Sequence, residues 1–282
     1  MSDKRFKKGG RRPGPATRAP RAKAAVSAPS GLDLVHGVHA VQALLGRGEA
    51  PRELWVQEGD AERRLAETLE QARARGARVL TQPRELLDQL TQGAAHQGIL
   101  AFCPPLAFAN EESLWLQLGA WPHAAPPLLL ILDGVTDVHN FGACLRSADA
   151  AGAHGVIVAK DKAAPLNATV RKVACGAAES VPVYQVTNLA RTLAKLKEQG
   201  VWLFGTAGEA EASVYEGDYR GPTALVMGAE GKGMRRLTRE ACDTLVKLPM
   251  AGSVSSLNVS VATGICLFEA VRQRASGALA DG

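Results

Sequence analysis

From residue 128 onward, short and nearly continuous apolar runs alternate with longer amphipathic segments, and this alternation limits the possible folds more than any other feature. The β-type runs begin with LLLILD and end with TLVKLPM. The segments between most of them, such as FGACLRSADAAG and NLARTLAKLKEQG, have helical apolar spacing. Apolar strands that alternate with helices predict an α/β fold, in which helices cover both faces of a parallel sheet.

The preceding part of the chain divides into two zones. Residues 32–103 contain short strand patterns (ELWVQ, RVLTQ, HQGILAF) separated by helical ones, the longest being AERRLAETLEQARARG, and predict a small α/β domain. Residues 104–127 are rich in proline and predict a linker with a helical middle, ESLWLQL. We therefore expect a large domain over 128–276 and a flexible end over 277–282.

The basic charge of the chain is concentrated at its start. Residues 1–30 carry nine lysines and arginines against one acidic residue, Asp3, so the rest of the chain is slightly acidic. This stretch has too few apolar residues to form a core, and we expect a disordered basic tail over 1–31. Such an arm favours a polyanion such as RNA, although a simple solubility tail has the same composition.

Other classes of protein are disfavoured by what the sequence lacks. No apolar run is long enough for a membrane span, and the N-terminus has no signal-peptide core, so we expect a cytoplasmic protein without membrane contact. The five cysteines form no C-x-x-C pair, which predicts neither a zinc site nor a disulfide framework. No P-loop motif occurs, and no strand is followed by G-x-G-x-x-G.

Three strand ends are instead followed by polar, glycine-rich segments: DGVTDVHNFGACLRS, GAEGKGMRR and PMAGSVSSLNVS. Because ligands bind at the carboxyl ends of parallel strands, these loops are the expected site. Each residue also has an ordinary explanation. Asn140 and Ser256 suit helix caps, Gly231 and Gly233 suit turns, and Arg146 suits an exposed helix face. The joint occurrence of the three loops favours a functional site.

The three loops closely resemble the three motifs of the SpoU (TrmH-like) branch of the SPOUT RNA methyltransferases. The first corresponds to NFGACLR at 140–146, the second to VMGAEGKG at 226–233 and the third to LPMAGSVSSLNVSVA at 248–262. The similarity extends over roughly 128–274. It implies methylation of a ribose 2′-hydroxyl in RNA, with S-adenosylmethionine as cofactor and no metal.

The resemblance also implies an architecture. The catalytic domain would have a parallel sheet and a C-terminal trefoil knot, and it would form a homodimer through the final helix and the first-motif helix. Residues 32–103 resemble the L30e-like RNA-binding domain of the subgroup that methylates a guanosine of 23S rRNA. The implied substrate is therefore the peptidyl-transferase region of 23S rRNA, either naked or in a large-subunit assembly intermediate.

The resemblance further implies roles for individual residues. Arg146 would lie at the reaction centre, either as the base or, since a guanidinium with a pKa above about 12 is a poor base, as a bidentate phosphate anchor. The remaining expected catalytic residues are Asn140, Glu230, Ser256 and Asn258. The expected cofactor-binding residues are Thr206, Gly208, Gly228, Leu248, Met250 and Leu257.

Asn167, Arg171 and Lys172 lie in a loop-to-helix segment and are candidates for RNA phosphate contacts, although a solvated helix face has the same pattern. Two other functions stay open. One is a tRNA guanosine 2′-O-methyltransferase, which the L30e-like domain disfavours. The other is a non-catalytic RNA-binding relative, which the complete set of motif residues disfavours.

Overall fold

The computed structural model describes residues 28–46, 50–121 and 123–280, the last four by their backbone alone. The basic tail expected over 1–31 therefore lies almost wholly outside the described residues, as do residues 281–282. The described chain forms two sheets, one of four strands and one of eight.

The smaller sheet belongs to the N-terminal unit and has the order β1-β4-β2-β3, in which only β2 and β3 are parallel. Its strands are β1 Asp33–His36, β2 Glu53–Gln57, β3 Arg78–Gln82 and β4 Ile99–Cys103. Its helices are α1 Val38–Gly46, α2 Asp60–Arg64, α3 Ala66–Ala74 and α4 Arg84–Leu90.

Side-chain alternation along β4 explains why this small unit has a core on each face of its sheet. Ile99 and Ala101 pack into one apolar cluster, whereas Leu100 and Phe102 pack into another on the opposite face. All five residues of β4 are buried. The strand therefore occupies the middle of the unit.

The single helix expected over AERRLAETLEQARARG is kinked rather than continuous. Leu65 separates α2 from α3 with φ −103° and ψ 10°. The hydrogen-bond ladder nevertheless continues across the kink, from Leu65 N to Ala61 O and from Leu69 N to Leu65 O. Both leucines stay buried in the core beneath α1.

The larger sheet is entirely parallel, with the order β10-β12-β9-β11-β6-β7-β8-β5. Its strands are β5 Ala109–Asn110, β6 Leu128–Asp133, β7 Gly155–Ala159, β8 Val183–Val186, β9 Trp202–Thr206, β10 Ala212–Ser213, β11 Thr223–Gly228 and β12 Thr244–Lys247. Its helices are α5 Glu111–Gly119, α6 Val138–Ala150, α7 Ala168–Ala174, α8 Ala177–Ser180, α9 Leu189–Glu198, α10 Arg236–Ala241 and α11 Val259–Ala280.

The apolar strands bury both faces, which is the arrangement the sequence predicts. Along β6, Leu128, Leu130 and Leu132 enter one core cluster, whereas Leu129 and Ile131 enter a second cluster on the other face. An α/β fold with a parallel sheet and a separate N-terminal unit is confirmed.

Two boundaries differ from the expected ones. The expected linker, 104–127, supplies edge strand β5 and helix α5, whose Leu114 is buried in the large core. The proline-rich sequence does not predict this strand, because β5 has only two residues and is formed by its pairing with β8. At the other end, α11 continues to Ala280, into the segment expected to be flexible.

Candidate active site

The three polar loops converge at one edge of the large sheet. They follow β6, β11 and β12, which are parallel, so their carboxyl ends share an edge. The loop after β11 is a tight turn, in which Ala229 and Gly233 exchange reciprocal backbone hydrogen bonds. Gly231 and Gly233 have φ of 72° and 63°, so the turn does require glycines there.

One residue from each loop enters a hydrogen-bonded cluster. The side-chain nitrogen of Asn258 donates to Oδ1 of Asn140 at 2.9 Å and to Oε1 of Glu230 at 2.6 Å. The Oδ1 of Asn258 accepts from the backbone nitrogen of Ser260 at 2.9 Å. Because Ser260 N–H can only donate, this bond fixes which end of the Asn258 amide faces the cluster.

The cluster lies where two helices begin. Asp137 caps α6 by accepting from the backbone nitrogen of Asn140 at 2.8 Å. Oε1 of Glu230 also lies 3.4 Å from the backbone nitrogen of Val259, the first residue of α11. A carboxylate is favoured there by the positive end of the helix dipole. All three cluster residues are exposed or partly exposed, so they are accessible to a substrate.

An additional ion pair, not identified from the sequence, secures the second loop. Asp133, the last residue of β6, is 1% exposed and accepts from both the backbone nitrogen and Nε of Arg235, at 2.7 and 2.5 Å. This pair joins the loop after β11 to the end of β6. The available signal was an acidic residue ending an otherwise apolar strand, because such a residue needs a buried partner.

A cavity of about 550 Å³ opens beside the cluster. Three residues of the expected catalytic set line it: Glu230, Ser256 and Asn258. All six expected cofactor-binding residues line it as well: Thr206, Gly208, Gly228, Leu248, Met250 and Leu257. At Gly228 an added Cβ would overlap backbone atoms of Gly233 and Met234, so this turn requires glycine. The volume and mixed lining suit a small organic ligand.

A second cavity of about 340 Å³ adjoins the first and shares Glu230 and Val259 with it. Asn140 lines this second space, with Lys162 and Lys232 also on its wall. The cluster thus lies where two adjoining cavities share a wall, an arrangement that suits a reaction between two substrates.

Arg146 does not join this cluster within one chain. It is six residues beyond Asn140 on α6, which rotates its side chain about 120° around the helix. Its Nη1 lies 3.5 Å from Sγ of Cys175, and Arg146 lines neither of the two connected cavities. The structure therefore places the expected reaction-centre arginine on another face of α6.

Of the three residues expected to contact RNA phosphates, only Lys172 is exposed. Arg171 is a poor candidate for such a contact within this chain, because its side chain is 5% exposed and forms ion pairs with Glu179 at 2.6 Å and Asp33 at 3.2 Å. Its Nη2 also donates to the carbonyl of Pro104 at 3.2 Å. Asn167 caps α7 by accepting from Val170 N at 3.0 Å. Arg171 thus joins the N-terminal unit to the large domain.

The described residues contain neither a candidate metal site nor a helix suited to span a membrane. No group of three or more His, Cys, Asp or Glu side chains comes together there in a way that would hold a metal ion. Among the helices of that part of the chain, none combines the length and apolar character that crossing a bilayer requires.

Known proteins match both domains. The model of the SpoU rRNA Methylase family matches residues 127–268, and a model described as RNA 2'-O ribose methyltransferase substrate binding matches residues 34–109. The 23S rRNA (guanosine-2'-O-)-methyltransferase RlmB of Shewanella oneidensis is 56% identical over 245 residues, covering 86% of this chain and 98% of that protein. The Escherichia coli K12 protein of the same description is 56% identical over 243 residues, covering 86% and 99%.

A solved structure has the same architecture. The SpoU methyltransferase AviRb from Streptomyces viridochromogenes, in complex with the cofactor AdoMet, aligns with a TM-score of 0.69 at 29% identity, covering 88% of this chain and 92% of that chain. The alignment includes most of both domains. With a family model over half of its length and close relatives over most of it, this chain belongs to the SpoU rRNA methylase family.

Proposed function

We propose that this chain transfers a methyl group from S-adenosylmethionine to the 2′-hydroxyl of a guanosine in 23S rRNA. The observation that most directly supports this activity is the Asn140–Glu230–Asn258 cluster beside a glycine-lined cavity. The target is supported by relatives described as 23S rRNA (guanosine-2'-O-)-methyltransferases at 56% identity. The same proposal has three further parts. The methylated guanosine lies in the peptidyl-transferase region, the substrate is either naked 23S rRNA or a large-subunit assembly intermediate, and the protein acts in the cytoplasm.

The cavity beside the cluster fits S-adenosylmethionine. Gly208 and Gly228 let a ligand approach the backbone closely, while Leu248, Met250 and Leu257 offer apolar walls for an adenine ring. When bound, the cofactor supplies an electrophilic methyl group on its sulfonium. The chain must then hold the ribose hydroxyl in line with that methyl group and accept the hydroxyl proton.

Glu230 has the geometry of the proton acceptor. Asn258 and Val259 occupy its Oε1, and no described residue donates to its Oε2. Because Glu230 is exposed and lines both cavities, a hydroxyl entering from the second one can reach its carboxylate. In this mechanism Asn258 holds the carboxylate in place, and Asn140 holds the Asn258 amide from the other side.

Arg146 would act as a phosphate anchor, because a guanidinium donates but does not accept protons near neutral pH. Since it faces away from its own cluster, we propose that it serves the site of a partner chain in a homodimer. Val261 and Phe268 on α11 support this, being 51% and 50% exposed on the same helix face as Ile265. Helix α11 packs directly on α6, the helix that carries Arg146.

Two inactive variants test the dimer. Arg146→Ala and Glu230→Ala should each be inactive alone. Mixed after dissociation, they should recover up to about a quarter of wild-type activity, because half of the dimers are mixed and each has one complete site. No recovery in a verified heterodimer would place Arg146 and Glu230 in the same chain's site.

The trefoil knot belongs to this proposal as well. The end of α11 returns to the start of the sheet, where Arg274 donates to the carbonyls of Pro126, Pro127, Tyr219 and Gly221. These carbonyls immediately precede β6 and β11. The last helix is thus held against chain segments far from it in sequence. We also propose the domain limits 32–103 and 128–276, with β5 and α5 added to the large domain and α11 continued to Ala280.

Tritium-methyl transfer tests the function. Separated 23S rRNA, 16S rRNA and tRNA from cells lacking the methyltransferase gene serve as substrates. Label should be incorporated only into 23S rRNA, with Glu230→Gln as the matched inactive control. Label only in tRNA would overturn the rRNA target in favour of the tRNA alternative. No label, together with no cofactor binding by calorimetry, would indicate a non-catalytic RNA-binding protein.

A further inference from the structure

A third cavity, of about 750 Å³, lies between the two domains and away from the cofactor cavity. Its N-terminal wall comes from β1, α1, the end of α4 and the loop around Ala95 and Gln97. Its other wall comes from α7 and the following residues, including Lys172 and Cys175. The buried Arg171 ion pairs hold the walls together.

Unusual backbone conformations concentrate around this cavity. Four non-glycine residues of the described chain have positive φ, and three of them line it: Gln92 at 54°, Gln97 at 53° and Cys175 at 51°. Gln92 follows α4 and Cys175 ends α7, positions at which glycine normally relieves such strain. Strained residues of this kind cluster at functional sites, because a specific side chain is needed there despite its cost.

The lining has the chemistry of a base-binding pocket. Leu34, Ala40, Ala43 and Leu90 give it apolar surfaces against which the face of a base could pack. Gln92 adds an exposed amide to which no described residue hydrogen-bonds, and amides read the edges of bases.

Positive charge lies at the rim. Lys172 is exposed there, and Arg146 reaches the same rim through its contact with Cys175. The Arg171 charge, by contrast, is neutralised by Asp33 and Glu179. An apolar pocket with a free amide and two cations at its edge matches an unstacked nucleotide, whose base enters while its phosphate stays outside.

We infer that this interdomain cavity binds one unstacked nucleotide of the RNA substrate, next to the segment that carries the methylated ribose. The inference rests on the proposed function, because it assigns the occupant as RNA. It adds a second, independent RNA contact outside the cofactor loops. RNA bound there would pass Arg146 on its way to the reaction centre.

Filling the cavity tests the inference. Ala43→Phe should weaken binding of a 23S rRNA transcript at least about fivefold in a filter-binding assay, which corresponds to the loss of about 1 kcal/mol of binding free energy, because the phenyl ring would occupy the space of the base. Ala66→Phe is the matched control, because Ala66 is an exposed residue of α3 that does not line the cavity. Calorimetry should give the same cofactor affinity for both variants, since neither residue lines the cofactor cavity.

Relieving the strain gives a test that does not depend on tolerance of a larger side chain. Gln92→Gly should raise Tm, because glycine adopts positive φ freely, while lowering RNA affinity through loss of the amide. A purely structural role would raise Tm without affecting RNA affinity. RNA affinity equal to wild type in both Ala43→Phe and Gln92→Gly would overturn the inference.

Binding and methylation are measured separately so that the two proposals fail separately. If the cavity variants bind normally while wild type methylates 23S rRNA, the cavity inference fails and the function stands. If 23S rRNA is not methylated but Ala43→Phe still weakens RNA binding relative to Ala66→Phe, the cavity inference stands without the proposed target. Peptide adducts at His36 or His39 after photocrosslinking to a 4-thiouridine transcript would support the cavity directly, because both residues line it.

Discussion

Asn258 and Glu230 are 28 residues apart in the chain, yet the Asn258 amide donates a 2.6 Å hydrogen bond to the Glu230 carboxylate. The bond joins the loop after β12 to the loop after β11, although β9 separates those two strands in the sheet. Hydrogen bonds to an ionised group are stronger than neutral ones, and this one fixes the direction of the carboxylate. The proposed chemistry depends on that direction.

Replacing Asn258 should therefore impair turnover more than cofactor binding. Asn258→Ala leaves Glu230 free to rotate, and we expect kcat to fall by about 10- to 100-fold, less than the roughly 100- to 10,000-fold that a proton acceptor itself contributes, because the carboxylate is still present. Single-turnover methyl transfer at saturating cofactor measures it. Ser255→Ala is the control, since Ser255 lines the same cavity without bonding to the cluster, and it should stay near wild type. Wild-type turnover in Asn258→Ala would exclude a positioning role.

A second prediction concerns the glycine turn after β11. Gly228→Ala should abolish measurable S-adenosylmethionine binding by calorimetry, because the new Cβ would overlap the backbone of Gly233 and Met234 and displace the cavity wall. Gly252→Ala is the matched control, since a Cβ there meets open space and the residue has no positive φ. Unchanged cofactor affinity in Gly228→Ala would show that the loop tolerates the shift and would remove Gly228 from the site.

The sequence predicted the convergence of the three loops, because parallel strands end at one edge of a sheet and polar residues followed three of them. It did not predict which faces the side chains would occupy. The spacing of Asn140 and Arg146 already implied different sides of one helix, so that separation was predictable from helix geometry alone. The pairing of Asp133 with Arg235 was not, since it joins residues 102 positions apart.

Arg171 illustrates a different limit. An arginine at the fourth position of a helix has the sequence pattern of a solvated face, and only packing between domains buries it. Its partners Asp33 and Pro104 lie 138 and 67 residues away. No local periodicity encodes such contacts. The same reason explains the two-residue strand β5, whose pairing with β8 depends on the assembled sheet.

The third prediction follows from this burial. Arg171→Met should destabilise the protein by about 3–5 kcal/mol in urea unfolding, because it removes a buried cation that pairs with carboxylates of both domains, Asp33 and Glu179. Lys172→Ala, its exposed neighbour, should leave unfolding unchanged and instead reduce the salt dependence of RNA binding by about one unit of slope. If Arg171→Met kept full stability and lost only salt-dependent RNA binding, the result would favour the phosphate contact expected from the sequence over the structural role.

The fourth prediction concerns pH and the ring cluster where the chain enters β6. His154 contacts the rings of Trp121 and His123 at 4.8 and 4.9 Å between centroids. Its Nδ1 accepts a hydrogen bond from Leu128 N at 3.1 Å, which requires that nitrogen to be unprotonated. Burial, reinforced by His123 and Arg274, lowers the pKa of His154 below its usual value of 6.5.

Because the folded chain resists protonating His154, the unfolded chain binds the proton at higher pH. The free energy of unfolding should then be at its full value above about pH 6.5 and decrease as the pH falls through 6.5 toward the lowered pKa of the folded state. Urea unfolding at pH 7.5 and 5.5 measures the decrease. His154→Gln keeps an acceptor for Leu128 N without titrating, so its decrease should be smaller. Part of the decrease in the free energy of unfolding should persist in His154→Gln, because burial also lowers the pKa of His36. An equal decrease in wild type and His154→Gln would show that the ring cluster does not set the pH dependence.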